Sequence, residues 1–177
     1  MMGLRLLALV VALASATPLG GAALQVSALV RDGHVLVSWT FADGPLEQLN
    51  EAIDSGLTTT FTYDADLRRS VSVWFDRSVA SSTVAVSVRK DNLTGRYQLT
   101  RSVDGRVEDA RVSDSSAAVR TFMTAVDRLA LFSTAELEAN VEYTVRVRVR
   151  TRPRVTWFFW PWNSSAATGS ARFTFIS

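Results

Sequence analysis

Along most of its length this chain places an apolar side chain at every second position. That two-residue period restricts it to strands with one face on a core and the other toward water. Val35, Val37, Trp39 and Phe41 alternate with His34, Leu36, Ser38 and Thr40. The set Leu24, Val26, Ala28 and Val30 comes just before, and Asp32-Gly33 between the two is a two-residue hairpin signal, so these strands are predicted to pair directly. The same spacing returns through Phe61, Tyr63, Ala65 and Leu67, with Thr58, Thr60, Thr62, Asp64 and Asp66 on the opposite face. Further strands are expected around Val71, Val73 and Phe75, around Val84, Val86 and Val88, and over 96–101, where Tyr97 and Leu99 point inward. Asp91-Asn92 and Asp104-Gly105 read as turns, and a long strand over 142–152 and a short one over 172–176 close the chain.

Two stretches change period. Gly44-Pro45 opens a helix of about two turns with Leu46, Leu49, Ala52 and Ile53 on one face, and Gly56 ends it. After a polar stretch over 108–116, Asp114 or Ser115 can cap a second helix in which Val119, Phe122, Met123, Val126 and Leu129 recur at helical spacing. The expected fold is therefore mainly β, with α+β as the alternative label. It is an antiparallel sandwich or partly closed barrel of about eight strands with two packed helices.

Residues 1–23 read as an export signal. Arg5 precedes the apolar run from Leu6 to Leu13, and Ala14-Ser15-Ala16 is a small-x-small cleavage site, which places cleavage after Ala16 or near Ala23. A membrane anchor is the rival reading, but the run falls short of the roughly 20 residues that cross a bilayer. The remainder, 24–177, is expected to form one β-rich domain. Cysteine is absent, so stability in an oxidising compartment rests on packing, which suits a periplasm. Nineteen basic residues against seventeen acidic ones leave the chain near neutral, and nothing there asks for nucleic acid.

Little in the chain supports catalysis. Its one histidine, His34, stands beside the Asp32-Gly33 turn, where a solvated strand-end residue is the ordinary reading. No Gly-x-Ser-x-Gly elbow and no Gly-rich phosphate loop occurs, and one His without Cys disfavours zinc or copper. Asp64 and Asp66, with Asp76 near, could form an oxygen-ligand site; a pair of solvated carboxylates facing arginines is the simpler reading. No catalytic residue, metal ligand or cofactor is assigned.

Two surface features stand out. On the late strand Tyr143, Val145, Val147 and Val149 point one way and Arg146, Arg148, Arg150 and Arg152 the other, a stripe of guanidinium groups spanning roughly 20 Å. It suits an anionic partner such as an acidic protein face or lipid headgroups, unless cross-strand Asp and Glu neutralise it. Beyond it runs Trp157-Phe158-Phe159-Trp160-Pro161-Trp162, where Pro161 is expected to end the strand. Trp157, Trp160 and Trp162 then either present an interface or cover the end of the core.

The run LNEAIDSGLTTTFTYDADLRR over 49–69, Trp74 with Asp76-Arg77, the DNLTGRY step over 91–97 and TRSVDG over 100–105 resemble an exported bacterial family known as a domain of unknown function, DUF4390. Family members often carry Tyr before the Asp-Asn-Leu step, where this chain has Lys90. The resemblance implies an exported protein, commonly encoded near a nitrogen-type membrane sensor kinase, and brings no catalytic residues with it. The functional expectation is a non-enzymatic interaction module of the periplasm with a protein partner in the cell envelope. A lipid surface is the second candidate partner, and Arg146, Arg148, Arg150, Arg152, Trp157, Trp160 and Trp162 form the contact surface. The alternative is a carrier that holds a small apolar ligand inside a barrel lined by Trp39, Phe41, Phe61 and Tyr63.

Overall fold

The computed structural model describes residues 24–42, 46–71, 75–153 and 167–176. Their elements are β1 (Leu24–Arg31), β2 (His34–Phe41), α1 (Leu46–Asp54), β3 (Thr59–Val71), β4 (Phe75–Lys90), β5 (Tyr97–Val103), β6 (Arg106–Ser113), α2 (Ser116–Thr124), β7 (Ala125–Ser133), β8 (Val141–Pro153) and β9 (Thr168–Phe175). The described strands form two antiparallel sheets. One has the order β1-β2-β7 and the other β6-β5-β4-β3-β8-β9. They pack face to face as an open sandwich and do not close into a barrel, which settles the choice the alternation left between the two.

Alternation does what its period demands. Val35, Val37, Trp39 and Phe41 of the small sheet bury completely against Phe61, Tyr63, Ala65 and Leu67 of β3, Val84, Val86 and Val88 of β4 and Val145, Val147 and Val149 of β8. Two hairpins are set by turn chemistry. Asp32 (φ 51°) and Gly33 (φ 74°), then Asp104 (φ 49°) and Gly105 (φ 81°), put consecutive residues in the left-handed region, the twist that a two-residue antiparallel connection needs. Arg31 accordingly faces His34, and Val103 faces Arg106. Asp104 also ties its turn to β4, where its carboxylate accepts from the Thr83 amide at 2.8 Å and from the hydroxyl of buried Ser82 at 3.0 Å.

Four local expectations differ from the structure. The strand foreseen around Val71, Val73 and Phe75 is the junction of two longer ones, with Val71 ending β3 opposite Phe75 at the start of β4; Val73 lies outside the described residues. The polar stretch after Asp104-Gly105 is largely strand β6, which pairs with β5 along an exposed edge and so never needed an apolar face. The second helix stops at Thr124, and Val126 and Leu129 belong to β7. They mimic a helical stripe because β7 is irregular there. Its register against β2 shifts between Val37 and Trp39, and Arg128 takes φ 45°, so one extra residue is added and Asp127 and Arg128 together oppose Ser38. Strand β9 begins at Thr168, four residues earlier than the apolar spacing indicated.

The helices close the sandwich. Ser115 caps α2 by accepting from the Ala118 amide, and Val119, Phe122 and Met123 turn inward over the β4–β5 region. In α1, Ile53 is buried, Gly56 (φ 79°) terminates the helix, and Lys90 of β4 bonds Asp54 at 2.8 Å. On the other side β9 runs close to β1. A methyl group at Gly169 would collide with the Leu24 carbonyl oxygen and lie 2.7 Å from Val26 Cγ2. Backbone cannot yield as a side-chain tip can, so Gly169→Ala is expected to destabilise the fold by roughly 2–3 kcal/mol. Gly105→Ala, with open space around it, is expected to lose about 1 kcal/mol through its φ alone. Urea titration of both variants orders the two effects.

Candidate functional site

The outward column of β8 is fixed by its inward one. Val145, Val147 and Val149 are fully buried, so Arg146, Arg148 and Arg150 must stand on the outer face of the large sheet, as the sequence indicated. Register then names their neighbours. Asp66 of β3 lies opposite Arg146, Asp64 opposite Arg148 and Thr62 opposite Arg150, while Ser170 and Thr168 of β9 flank Arg146 and Arg148 on the other side. One row further down, Thr144 sits between Arg68 of β3 and Arg172 of β9.

Neutralisation of this stripe is partial. Among the described residues Arg150 is the one member with an ion pair, to Asp64, whose other oxygen lies 3.4 Å from the Thr83 hydroxyl. Arg150 is half exposed, so the pair is worth no more than about 1 kcal/mol. Among the described side chains Arg68, Arg146, Arg148, Arg150 and Arg172 share the face with Asp64, Asp66 and Glu142, a cationic balance. The Nε of Arg68 is buried and has no hydrogen-bond partner among the described residues.

Arg68 and Arg172 were missed in the sequence. Continuing the alternation of Asp64 and Asp66 by one step reaches Arg68, so that signal was present. Arg172 needs the β8–β9 register, which sequence does not carry. Backbone pairing places Arg152 opposite Thr60, and its side chain lies outside the described residues, as do Trp157, Trp160 and Trp162.

The other candidates resolve into structure. Trp39, Phe41, Phe61 and Tyr63 fill the space between the sheets, and the Trp39 and Tyr63 rings are 5.1 Å apart. His34 is exposed, and its Nδ1 donates to the Asp32 carbonyl at 2.9 Å, a contact made within its own turn. Asp64 and Asp66 face arginines; the Asp76 side chain lies outside the described residues, and no cluster of metal-ligating side chains forms among those described.

A second arginine group, also missed, holds the exit of α2. Arg101 of β5 and Arg111 of β6 each place a guanidinium 4.7 Å from the centre of the Phe122 ring, one strand apart, while Arg111 pairs with Asp109. Arg101 reaches the Ala125 carbonyl at 3.4 Å, and burial holds its pKa below the usual guanidinium value. Beside it the Tyr63 hydroxyl donates to the Met123 carbonyl at 2.6 Å. Both side chains satisfy carbonyls at the C-terminal end of the helix, where the backbone has no partners of its own.

Burial raises the Tyr63 pKa well above its ordinary value of 10.0, because a phenolate there would be desolvated and would lose its role as donor. The folded pKa exceeds the unfolded one, so the stabilisation is complete below pH 10.0 and is lost as pH rises beyond it. Tyr63→Phe is expected to lose about 1–2 kcal/mol at neutral pH by leaving the Met123 carbonyl unpaired. Above pH 10.0 it is also expected to show a shallower loss of stability than the unaltered chain, measured by urea unfolding across the alkaline range.

No curated protein and no solved structure matches the chain. A family model does, over residues 22–154, and it covers β1 through β8, including the α2 anchor and most of the arginine face. The chain thus belongs to the DUF4390 family, a domain of unknown function.

Proposed function

We propose that this chain is an exported, non-enzymatic interaction module of the cell envelope, and that the outer face of the large sheet around Arg146, Arg148 and Arg150 is its contact surface. One observation carries the reading: the face bears more guanidinium groups than carboxylates, and only Arg150 of the stripe is paired among the described residues. A solvated face with no partner would balance its charges at little cost. A flat cationic sheet face suits the acidic surface of a protein, because arginine forks bind carboxylates in pairs and electrostatic complementarity speeds docking. The kinase-adjacent gene neighbourhood that goes with the family resemblance makes an envelope sensor the natural partner. The absence of a catalytic grouping in the sequence and the engagement of His34 within its own turn fit a binding role.

The carrier alternative calls for interior space. Its four lining residues instead pack on one another and on the surrounding valines, and the Tyr63 hydroxyl is engaged by Met123. The contact-surface reading therefore takes precedence.

Two outcomes test it. Arg146→Glu combined with Arg148→Glu is expected to leave the melting temperature within a few degrees of the unaltered chain, since both lie on the outer face, Arg148 exposed and Arg146 partly so, and neither forms an ion pair among the described residues. The same double variant is expected to lose the partner recovered by crosslinking in cells. Undiminished recovery would exclude this face. Export is tested separately: the protein purified from cells is expected to begin at Thr17 or near Ala23, read by N-terminal sequencing, and a chain still beginning at Met1 in the cytoplasm would remove the periplasmic setting.

A further inference from the structure

The geometry points to a binding site for a phosphate-type oxyanion on the outer face, formed by Arg68, Arg146 and Arg172 around Thr144. This goes beyond the contact-surface reading, since it needs no protein partner. Three adjacent strands build it. Arg68, Thr144 and Arg172 stand side by side in one row across β3, β8 and β9, and Arg146 follows Thr144 two residues along β8. Directly opposed residues in antiparallel strands have Cα atoms about 5 Å apart, so Arg68 and Arg172 start about 10 Å from each other. Their side chains are long enough to converge over the Thr144 hydroxyl between them. Ser170, opposite Arg146, adds a second hydroxyl to the same corner.

Two features call for an anion there. The first is the electrostatics of the corner. Among the described side chains three guanidinium groups face two carboxylates, Asp66 opposite Arg146 and Glu142 beyond Thr144, and none of the three arginines forms an ion pair; Asp76, whose backbone pairs with Ser70 one row beyond Arg68, has its side chain outside the described residues. Glu142 is partly engaged already, accepting from the Ser70 hydroxyl at 3.4 Å. The second is the Arg68 Nε, withdrawn from water without an acceptor. A buried donor left unmade is unfavourable, and one that belongs to a cation is more so. An oxyanion seated over Thr144 gives the Arg68 guanidinium an acceptor once its side chain turns outward, and relieves the repulsion among the arginines.

The chemistry selects a tetrahedral anion over a carboxylate. Arginine forks converging from both sides of a hydroxyl can each take a different pair of oxygens, and a phosphate offers enough of them. Asp66 and Glu142 at the rim hold the site to moderate affinity. Phosphate oxygens of this kind reach an envelope protein either free or on a phospholipid headgroup.

The test uses the purified protein and two probes at constant ionic strength: inorganic phosphate by titration calorimetry, and vesicles of phosphatidylglycerol against vesicles of phosphatidylcholine by co-sedimentation. Saturable binding to phosphate, or to phosphatidylglycerol vesicles alone, is expected. Arg172→Gln, which alters an exposed residue of an edge strand, is expected to weaken it by about tenfold or more, and Arg68→Gln to do the same. Arg31→Gln, which removes a cation of the small sheet already paired with Asp32, is expected to change nothing. Binding in the phosphate arm assigns a free anion, and binding in the vesicle arm alone assigns a headgroup. No saturable binding in either arm, or binding that Arg31→Gln weakens as much as Arg172→Gln, overturns the site. Partner recovery in cells is a separate readout, so this site and the contact-surface reading can fail independently.

Discussion

Strand β3 and its two neighbours hold the constraint from which the rest follows. Tyr63, Ala65 and Leu67 are buried against Val149, Val147 and Val145 on one side and Val84 and the Ala80 region on the other. In a strand the side-chain period is two, so a one-residue slip would turn this whole column outward and bring Asp64 and Asp66 into the core. The cost of burying those carboxylates locks the register. Once it is locked, Arg146 must face Asp66, and Arg68 must stand beside Thr144. The composition of the outer face is thus a consequence of the core rather than an independent surface feature.

The small sheet is attached through fewer elements and is secured differently. Its strand β7 departs from regular pairing where Arg128 adopts φ 45°. Ser38 stabilises the departure from the neighbouring strand: its hydroxyl accepts from the Arg128 amide at 2.8 Å and donates to Asp127 at 3.2 Å. The chain enters β7 straight from α2, and that junction is held from the large sheet by Tyr63 and Arg101. One helix exit therefore couples the two sheets through hydrogen bonds as well as through apolar contact. An irregular strand can be accommodated because its entry point is fixed.

Legibility in the sequence tracks how local each determinant is. The β1–β2 hairpin, the inward columns of β2, β3, β4 and β8, and the outward placement of Arg146, Arg148 and Arg150 all follow from alternation and turn residues a few positions apart. Strand β6 was hidden because both of its faces are largely exposed, so burial imposed no pattern on RVEDARVS. The length of α2 was overread because an irregular strand can place Val126 and Leu129 at a helical interval. Which residues complete the arginine face depended on the pairing of β3 with β8, whose partners lie far apart in sequence (Arg68 with Thr144), and of β8 with β9. No local pattern carries that information. The Arg101–Phe122–Arg111 stack is local but was invisible because β6, which sets Arg111 beside the Arg101 strand, was itself not foreseen.

The sheet edges bear on the proposed contact surface by what they disfavour. An exposed edge strand invites other strands, and proteins blunt it with charge and irregularity. Strand β6 has both: Arg106, Glu108, Asp109 and Arg111 lie along it, and its register against β5 shifts between Arg101 and Ser102. At the opposite end β9 is crowded by β1, closely enough that only glycine fits at position 169. Strand addition is thereby disfavoured at both ends of the large sheet. The outer face has no such protection, with its arginines paired only at Arg150 among the described residues. The fold discourages backbone contact at its edges while leaving excess positive charge among the described side chains of its larger sheet, so the contact proposed for this face would run through side chains rather than through backbone.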